Sequence, residues 1–188
     1  MPPKVKVTKE EIVKTAVELI RKDGEQAINA RGLALALNCS TQPIFSNFAT
    51  IEELQVEIRA YVYNSYLAYI EKEVGSGKYP SYKAFGMAYI RFAKEEKQLF
   101  KLLFMRDRTG EDLSPSQDFE KSVEIIMQKN GVSKETAALI HLEMWACVHG
   151  IATMIVTSFL EIEWEIISTM LTDVYQGVRA RYVEGGEK

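Results

Sequence analysis

The sequence NCSTQPIFSNF at residues 38–48 decides the interpretation of this chain, because it combines a turn with the start of a very short helix. Asn38 adopts a left-handed backbone at lower cost than most residues that carry a Cβ atom. Ser40 is a favourable N-cap. Pro43 then falls in the first helical turn, where a missing N–H costs little. The stretch therefore predicts the turn and second helix of a helix-turn-helix.

The short helix has a small apolar face made by Ile44 and Phe48, which are four residues apart. The side chains outside that face should point to solvent, and they are Thr41, Gln42, Phe45 and Asn47. A short polar helix presented in this way is typical of helices that read base edges in the major groove of DNA.

The chain has 188 residues, of which 47% are apolar and 26% are charged, and this composition is that of a globular protein. Its net charge of −3 excludes a uniformly basic nucleic-acid binder. The charge is uneven, because residues 1–50 carry seven Lys and Arg against five Asp and Glu, a balance of +2. The other residues carry 16 against 21, a balance of −5, so the sequence predicts a mildly basic head on an acidic body.

The location that the sequence predicts is the cytoplasm. The two cysteines, Cys39 and Cys147, are far apart, which favours two buried thiols over a disulfide or a zinc site. The first residues lack the apolar core of a signal peptide. The apolar run at 144–160 contains His149 and is shorter than a usual membrane span, so we expect a buried helix there and no membrane partner.

Helix start and stop signals predict an all-α fold of about nine helices. Thr8 and Glu11 form a capping box that opens the first helix, and Thr50 and Glu53 form another before the fourth. No run of alternating apolar and polar residues is long enough for a strand. The predicted helices cover about 9–23, 30–37, 41–48, 51–74, 81–95, 97–105, 116–130, 133–159 and 163–182.

Two parts of the sequence resemble the tetracycline-repressor-like (TetR) family of bacterial transcription regulators. The first part carries the resemblance at Thr8-Lys9-Glu10-Glu11-Ile12, Asp23-Gly24, Arg31-Gly32-Leu33-Ala34, Ser40, Ile44-Phe45, Phe48 and Glu52-Glu53-Leu54. The second is Trp145-Ala-Cys-Val-His149-Gly150, which is similar to a tryptophan–histidine–glycine segment of the family's C-terminal domain.

The resemblance implies a DNA-binding helix-turn-helix domain at 1–50 and a ligand-binding and dimerisation domain at 51–188. It implies a homodimer formed through the last two long helices, no catalysis and no cofactor. We therefore expect a repressor that binds a palindromic operator in double-stranded DNA and is released by a small apolar or amphipathic effector of unknown identity.

The residues expected to contact DNA have distinct chemistry. The Gln42 amide can pair with the N6 and N7 edge of adenine. Ser40 and Thr41 lie where hydroxyl and backbone N–H groups favour phosphate. Asn47 can reach a phosphate or a base. Phe45 packs in the core or contacts a thymine methyl.

Three further cations are expected near the DNA backbone. Arg31 lies near the start of the second helix, although it could equally pair with Glu10 or Glu11. Lys4 and Lys6 can act as an N-terminal arm. Relative to the family's usual tyrosine, histidine and lysine, this chain has Phe45, Asn47 and Ile51, so three phosphate contacts are weaker or absent. An arm of Lys4, Lys6 and Lys9 could compensate for them.

The body is rich in aromatic and methionine residues, which build adaptable apolar pockets as well as cores. The candidate effector-binding residues are Tyr66, Tyr89, Phe104, His141 and Trp145. The candidate dimer-interface residues are His149, Gly150, Ile155, Phe159, Ile167, Met170 and Val174. The apolar residues among the latter could instead complete the core of a single chain.

Two other classes of function remain open from the sequence. One is a helical small-molecule-binding module without strong DNA binding. The other is an all-α enzyme, but the sequence shows no Ser/His/Asp arrangement, phosphate-binding glycine loop, metal cluster or paired catalytic carboxylates.

Overall fold

The computed structural model describes residues 7–111 and 117–184, which contain nine α-helices and no strand, and this confirms the predicted all-α class. A 3₁₀ turn at Glu25–Ala27 follows the first helix, and a π-helical turn at Ala180–Glu184 follows the last. The helices are α1 (Lys9–Asp23), α2 (Ala30–Ala36), α3 (Gln42–Asn47), α4 (Ile51–Gly75), α5 (Ser81–Glu95), α6 (Lys97–Phe104), α7 (Gln117–Asn130), α8 (Lys134–Val156) and α9 (Trp164–Arg179).

The predicted capping box is complete at the start of α1 and half formed at the start of α4. The Thr8 hydroxyl accepts the backbone N–H of Glu11 at 3.2 Å, and the Glu11 carboxylate accepts the backbone N–H of Thr8 at 2.8 Å. The Thr8 hydroxyl also donates to the Glu11 carboxylate at 2.9 Å, and the two bonds donated by Thr8 hold the pKa of Glu11 below its usual value. Before α4, Thr50 accepts from the N–H of Glu53 at 3.1 Å, whereas the Glu53 carboxylate accepts from Ala49, one residue further back than the motif requires.

The first compact unit comprises residues 1–68 and 96–106. It contains α1, α2, α3, α6 and most of α4, and α1 packs against α2, α3 and α6. Its core is apolar because each helix buries one stripe of side chains. The buried residues include Ile12, Ala16, Ile20, Leu33, Ile44, Phe48, Leu54, Ile58, Leu99 and Phe100.

The second unit comprises residues 69–95 and 107–188, in which α8 packs against α5, α7 and α9. A close approach in this unit depends on Gly86 of α5. A Cβ atom at that position would lie 3.1 Å from Cγ2 of Val148 on α8 and 3.3 Å from Cδ1 of Leu171 on α9. Because Gly86 has no side chain, α5 can pack closely against both α8 and α9 at this point.

The second unit buries a charged side chain. Glu73 is only 6% exposed, and its carboxylate accepts the Nε–H of Arg91 at 2.9 Å. The Arg91 guanidinium also stacks on the ring of Trp164, 4.3 Å from the centroid. The Arg91 cation thus offsets part of the free energy that it costs to remove the Glu73 carboxylate from water.

The α8 helix is long and apolar enough to span a membrane by length and composition, with a mean hydropathy of 1.5 in its most apolar window. It packs against three other helices, as expected of a core helix. It ends at Val156 rather than near residue 159, and Ser158 then adopts a positive φ of 56°. The prediction of buried thiols was wrong, because Cys39, in the turn after α2, and Cys147, within α8, are both only half-buried.

Candidate functional site

The turn between α2 and α3 closes as a Schellman motif. Asn38 adopts φ of 51°, which confirms its predicted left-handed conformation. The N–H of Cys39 donates to the carbonyl of Ala34 at 2.9 Å, and the N–H of Asn38 donates to that of Leu35 at 3.1 Å. This pair of bonds defines the motif and satisfies carbonyls that the end of α2 leaves without helical partners.

The third helix differs from its prediction at the N-terminal end. It begins at Gln42, and the N-cap is Thr41, whose side chain makes no capping bond. The prediction of Ser40 as the N-cap was therefore wrong. Thr41 itself has helical φ and ψ angles, and Pro43 occupies the first turn without needing an N–H donor, so the helix starts without a side-chain cap.

The outer face of α3 presents Gln42, Phe45 and Ser46. All three are exposed, whereas Ile44 is fully buried, because residues three and four apart share one face of a helix. Phe45 is 49% exposed, so the alternative that it packs in the core does not hold. The exposed residues thus combine an amide, an aromatic ring and a hydroxyl on one small surface.

Asn47, at the end of α3, uses its amide within the protein. Its Nδ2 group donates to the carbonyl of Pro43 at 2.8 Å and to the carbonyl of Val7 at 3.2 Å. Both amide hydrogens are thereby engaged, and the side chain is half-buried. Lys4 and Lys6, the candidate arm residues that precede Val7, lie outside the described residues.

The cations near this surface fall into two groups. Arg31 is exposed, and the carboxylates weighed as its partners are engaged elsewhere: Glu10 pairs with Lys14 at 2.6 Å, and Glu11 bonds with Thr8. The side chain of Lys9, in contrast, lies over the ring of Phe48, 5.0 Å from its centroid.

The five candidate effector residues take part in contacts in both units. In the first unit, Tyr66 meets Phe104 edge to face with ring centroids 5.3 Å apart. Grooves on the same unit, with volumes of about 260 and 400 Å³, are lined by other residues, among them Lys9, Tyr61 and Leu37. Among the five candidates, Tyr66 and Phe104 are thus in direct ring contact with each other.

In the second unit, two histidines of α8 each meet a tyrosine of α5. The hydroxyl of Tyr82 lies 2.9 Å from Nδ1 of His141, and that of Tyr89 lies 2.8 Å from Nδ1 of His149. Burial lowers the pKa of both histidines and raises the pKa of Tyr82. Each neutral imidazole accepts the tyrosine O–H at Nδ1 in one tautomer and donates its Nδ1–H to the hydroxyl oxygen in the other.

His149 also connects this buried pair to the surface. Its ring stacks on Trp145 with centroids 4.9 Å apart and planes 10° from parallel. Trp145 is 45% exposed, so the stack lies on the outer face of α8 rather than inside the unit. His141 and Trp145, predicted together as effector contacts, have different ring partners: His141 meets Tyr82 and Phe119.

The outer faces of α8 and α9 carry the candidate dimer residues. Gly150 is exposed, with open space where a Cβ atom would be, and Phe159 is 80% exposed. Ile155 and Ile167, in contrast, are buried within the chain itself and offer little surface to a partner. His149, Met170 and Val174 are half-buried.

Comparison with known proteins finds a family that matches the C-terminal part of the chain. Residues 82–171 match the model of the tetracyclin repressor-like C-terminal domain. This match supports membership of the tetracycline-repressor-like family. No curated protein compared with it matches significantly. Because the match covers only the region from α5 into α9, it is independent of the helix-turn-helix residues that first carried the resemblance.

Sequence reasoning missed several residues of this tetracycline-repressor-like chain. Leu139 and Leu142 extend the exposed apolar face of α8 toward its N-terminus, and their spacing of three residues from each other and from Trp145 was a usable signal. Tyr82 and Phe119 were missed as partners of His141 because no local pattern reveals contacts between helices distant in sequence.

Proposed function

We propose that this regulator is a sequence-specific, DNA-binding transcriptional repressor that acts as a cytoplasmic homodimer and without catalysis. The observation that carries the proposal is the exposed face of α3, held behind a Schellman-closed turn and joined to a tetracycline repressor-like C-terminal domain. The division into a DNA-binding domain at 1–50 and a ligand-binding and dimerisation domain at 51–188 is part of the same proposal.

Direct readout would be made by the exposed residues of α3. Gln42 can offer its amide to the N6 and N7 edge of adenine, and Phe45 can contact a thymine methyl, so adjacent A·T pairs suit both. Arg31 would contact phosphate, since neither neighbouring carboxylate neutralises it. Ser40 and Thr41 add hydroxyl groups at the same end of α3.

The dimer would form through the outer faces of α8 and α9. Leu139, Leu142 and Trp145 form one exposed apolar stripe on α8, and Gly150 allows a second helix to approach closely. A two-fold pairing of these helices would give a four-helix interface and would present two copies of α3 to an inverted repeat. Phe159, Met170 and Val174 would lie at its edges.

The effector would be a small apolar or amphipathic molecule that changes how the protein binds DNA. In the second unit, support comes from the aromatic ring of Tyr89 and from the polar atoms of the two Tyr–His pairs. In the first unit, the contacting rings of Tyr66 and Phe104 supply a separate aromatic surface. Such a mixture of ring surfaces and a few directional polar groups is typical of ligand sites.

Selection from random DNA tests the proposal. The purified protein is incubated with random duplexes at moderate salt, and the retained duplexes are sequenced. Enrichment of an inverted repeat is the expected result and would give the half-site directly. Absence of enrichment from a folded, dimeric protein would contradict the DNA-reading function.

One observation favours a second candidate, a helical small-molecule-binding module without strong DNA binding. The amide hydrogens of Asn47 are used within the protein, and Phe45 has no hydroxyl to donate to phosphate. Retention on heparin or random duplex at low salt separates the two: this module would pass through unretained, and the proposed repressor would not.

A further inference from the structure

A single asparagine–glycine pair in the sequence lies at the corner between α7 and α8. Of the five asparagines in the chain, Asn130 is the one that a glycine follows. Asn130 ends α7, and Gly131 adopts a φ of 66°, the left-handed conformation that commonly closes a helix. Because glycine carries no side chain, its backbone nitrogen can approach the side-chain amide of the residue before it. Asn130 and Gly131 can therefore react with each other.

The structure holds the Asn130 amide by both of its polar atoms. Its Nδ2 group donates to the carbonyl of Ile126 at 2.9 Å and to the hydroxyl of Tyr175 at 3.0 Å. Its Oδ1 atom accepts the Nε–H of Arg179 at 3.1 Å. Both amide hydrogens and the amide oxygen are thus engaged. Since Tyr175 and Arg179 belong to α9, the position of this side chain depends on that helix.

These bonds direct the amide away from the backbone nitrogen that would attack it. Ile126 lies one turn before Asn130, so the bond to its carbonyl draws the amide toward the N-terminal end of α7. The Gly131 nitrogen follows Asn130 in the opposite direction, and its N–H donates to the carbonyl of Met127 at 2.8 Å. Attack of this nitrogen on Cγ of Asn130 requires both bonds to break. The side chain is therefore held in an unreactive conformation.

The C-terminal half of α9 covers this corner. The Tyr175 ring contacts the ring of Tyr82, with centroids 5.7 Å apart, and the Lys129 ammonium lies 5.5 Å from the Tyr175 centroid. Further along the chain, Val178 and Tyr182 pack against a buried cluster of α7 and α8. That cluster consists of Val123, Ile126, Ala137 and Ile140. Release of this half of α9 would remove both α9 partners of the amide at once.

We propose that Asn130 is a deamidation site that Tyr175 and Arg179 of α9 keep closed. When these partners are released, the Gly131 nitrogen gives its proton to hydroxide and forms a bond to Cγ of Asn130. The Cγ–Nδ2 bond breaks, and Nδ2 takes a proton from water and leaves as ammonia, which gives a cyclic succinimide. Water then cleaves the bond from the Gly131 nitrogen to Cγ, giving aspartate, or the bond to the main-chain carbonyl carbon, giving isoaspartate. No atom is oxidised or reduced, and the net reaction consumes one water for each ammonia released.

Either product weakens the corner between α7 and α8. A carboxylate has no hydrogen to donate, so the bond to the Ile126 carbonyl is lost. Isoaspartate also adds one methylene group to the main chain at the end of α7. Because the ammonia is lost, the modified fraction grows with the time that α9 spends released. This chemistry does not depend on the proposed DNA-binding function.

Incubation of the full-length protein at neutral pH tests the protection. The peptide that contains Asn130 is isolated at intervals, and its aspartate and isoaspartate forms are measured by mass spectrometry. The same protein unfolded in guanidinium chloride gives the reference rate. The folded protein should deamidate at Asn130 at least about 10-fold more slowly than the unfolded chain, since reaction requires local opening. Equal rates in the two states would overturn the proposal.

Variants of α9 test which contacts protect the site. Tyr175→Phe removes the hydroxyl that Asn130 uses but keeps the ring, and it should speed deamidation of the folded protein several-fold. Thr172→Val is the matched control, because it removes an α9 hydroxyl that accepts from Lys83 on α5 at 2.7 Å, and it should change the rate little.

Equal acceleration by the two variants would assign the rate to a general loss of stability and overturn the role of Tyr175. Arg179→Ala, which removes the partner of Oδ1, is a second variant and should also speed the reaction. An unchanged rate in both Tyr175→Phe and Arg179→Ala would mean that α7 alone protects Asn130, and the proposal would fail. Thermal unfolding confirms that each variant is folded.

Discussion

The hydroxyl of Tyr89 on α5 and Nδ1 of His149 on α8 are 2.8 Å apart, and the same helices repeat this arrangement with Tyr82 and His141. Both histidines act as acceptors only when the imidazole is neutral. The second unit is joined across α5 and α8 by two Tyr–His hydrogen bonds, in which a protonated ring acts only as a donor.

Stability should fall in acid because of these pairs. Burial lowers the pKa of His141 and His149 in the folded state, so between the folded value and the unfolded value near 6.5 the unfolded chain binds more protons. The stabilisation is complete above about pH 6.5 and is lost as the pH falls through the folded values. Urea unfolding at pH 8, 6 and 5 measures the loss, and His149→Gln with His141→Gln should flatten it. A steep loss that persists in the double variant would assign it to other groups.

Gly86 should be less tolerant of a methyl group than Gly177. Gly177→Ala on α9 meets nothing within 4 Å and should stabilise the protein by up to about 1 kcal/mol, as alanine favours helices over glycine. Gly86→Ala must push Val148 and Leu171 apart, and we expect a net loss of about 1 kcal/mol, because overpacking outweighs the helix preference. Chemical denaturation of both variants checks the sign. Stabilisation by Gly86→Ala would mean that the neighbours yield freely.

Gln42 and Arg31 should differ in how they affect DNA binding. Gln42→Ala should cost about 1–3 kcal/mol on the selected operator and little on random duplex, because an amide reads one base. Arg31→Ala should weaken binding to both equally and lower the salt slope by about 0.9. Fluorescence anisotropy with both duplexes over a salt series gives the comparison. Equal losses for Gln42→Ala on the two duplexes would exclude base reading.

A charge on the outer face of α8 should separate the proposed dimer. Leu142 is 54% exposed in the single chain, and Leu142→Glu would bury an uncompensated carboxylate in an apolar interface at a cost of about 3 kcal/mol or more. The dimer dissociation constant should then rise by at least roughly 100-fold, as measured by sedimentation equilibrium. Val56→Glu, at a similarly exposed valine of α4, is the control and should leave the dimer intact. Equal behaviour of the two variants would place the interface elsewhere.

The local features of the fold, such as helix caps and turn conformations, could be predicted from the sequence because they depend on residues adjacent in the chain. The Thr8–Glu11 capping box and the left-handed Asn38 are decided within a few residues, and the structure has both. The prediction of Ser40 as the N-cap was wrong because α3 starts at Gln42, and Thr41, which has helical backbone angles, is its N-cap. Ser40 lies in the turn before the helix. Asn47 was expected to face DNA, but its partner Val7 is 40 residues away, and no local pattern reveals such a bond.

The close contact at Gly86 also limits how α5 and α8 can move against each other. The residues one turn away along α5 are Tyr82 and Ile90, both far larger than glycine. Sliding α5 by one turn would bring one of them to a place where even a methyl group is crowded. A shift of α5 by a full turn along α8 is therefore sterically opposed at Gly86.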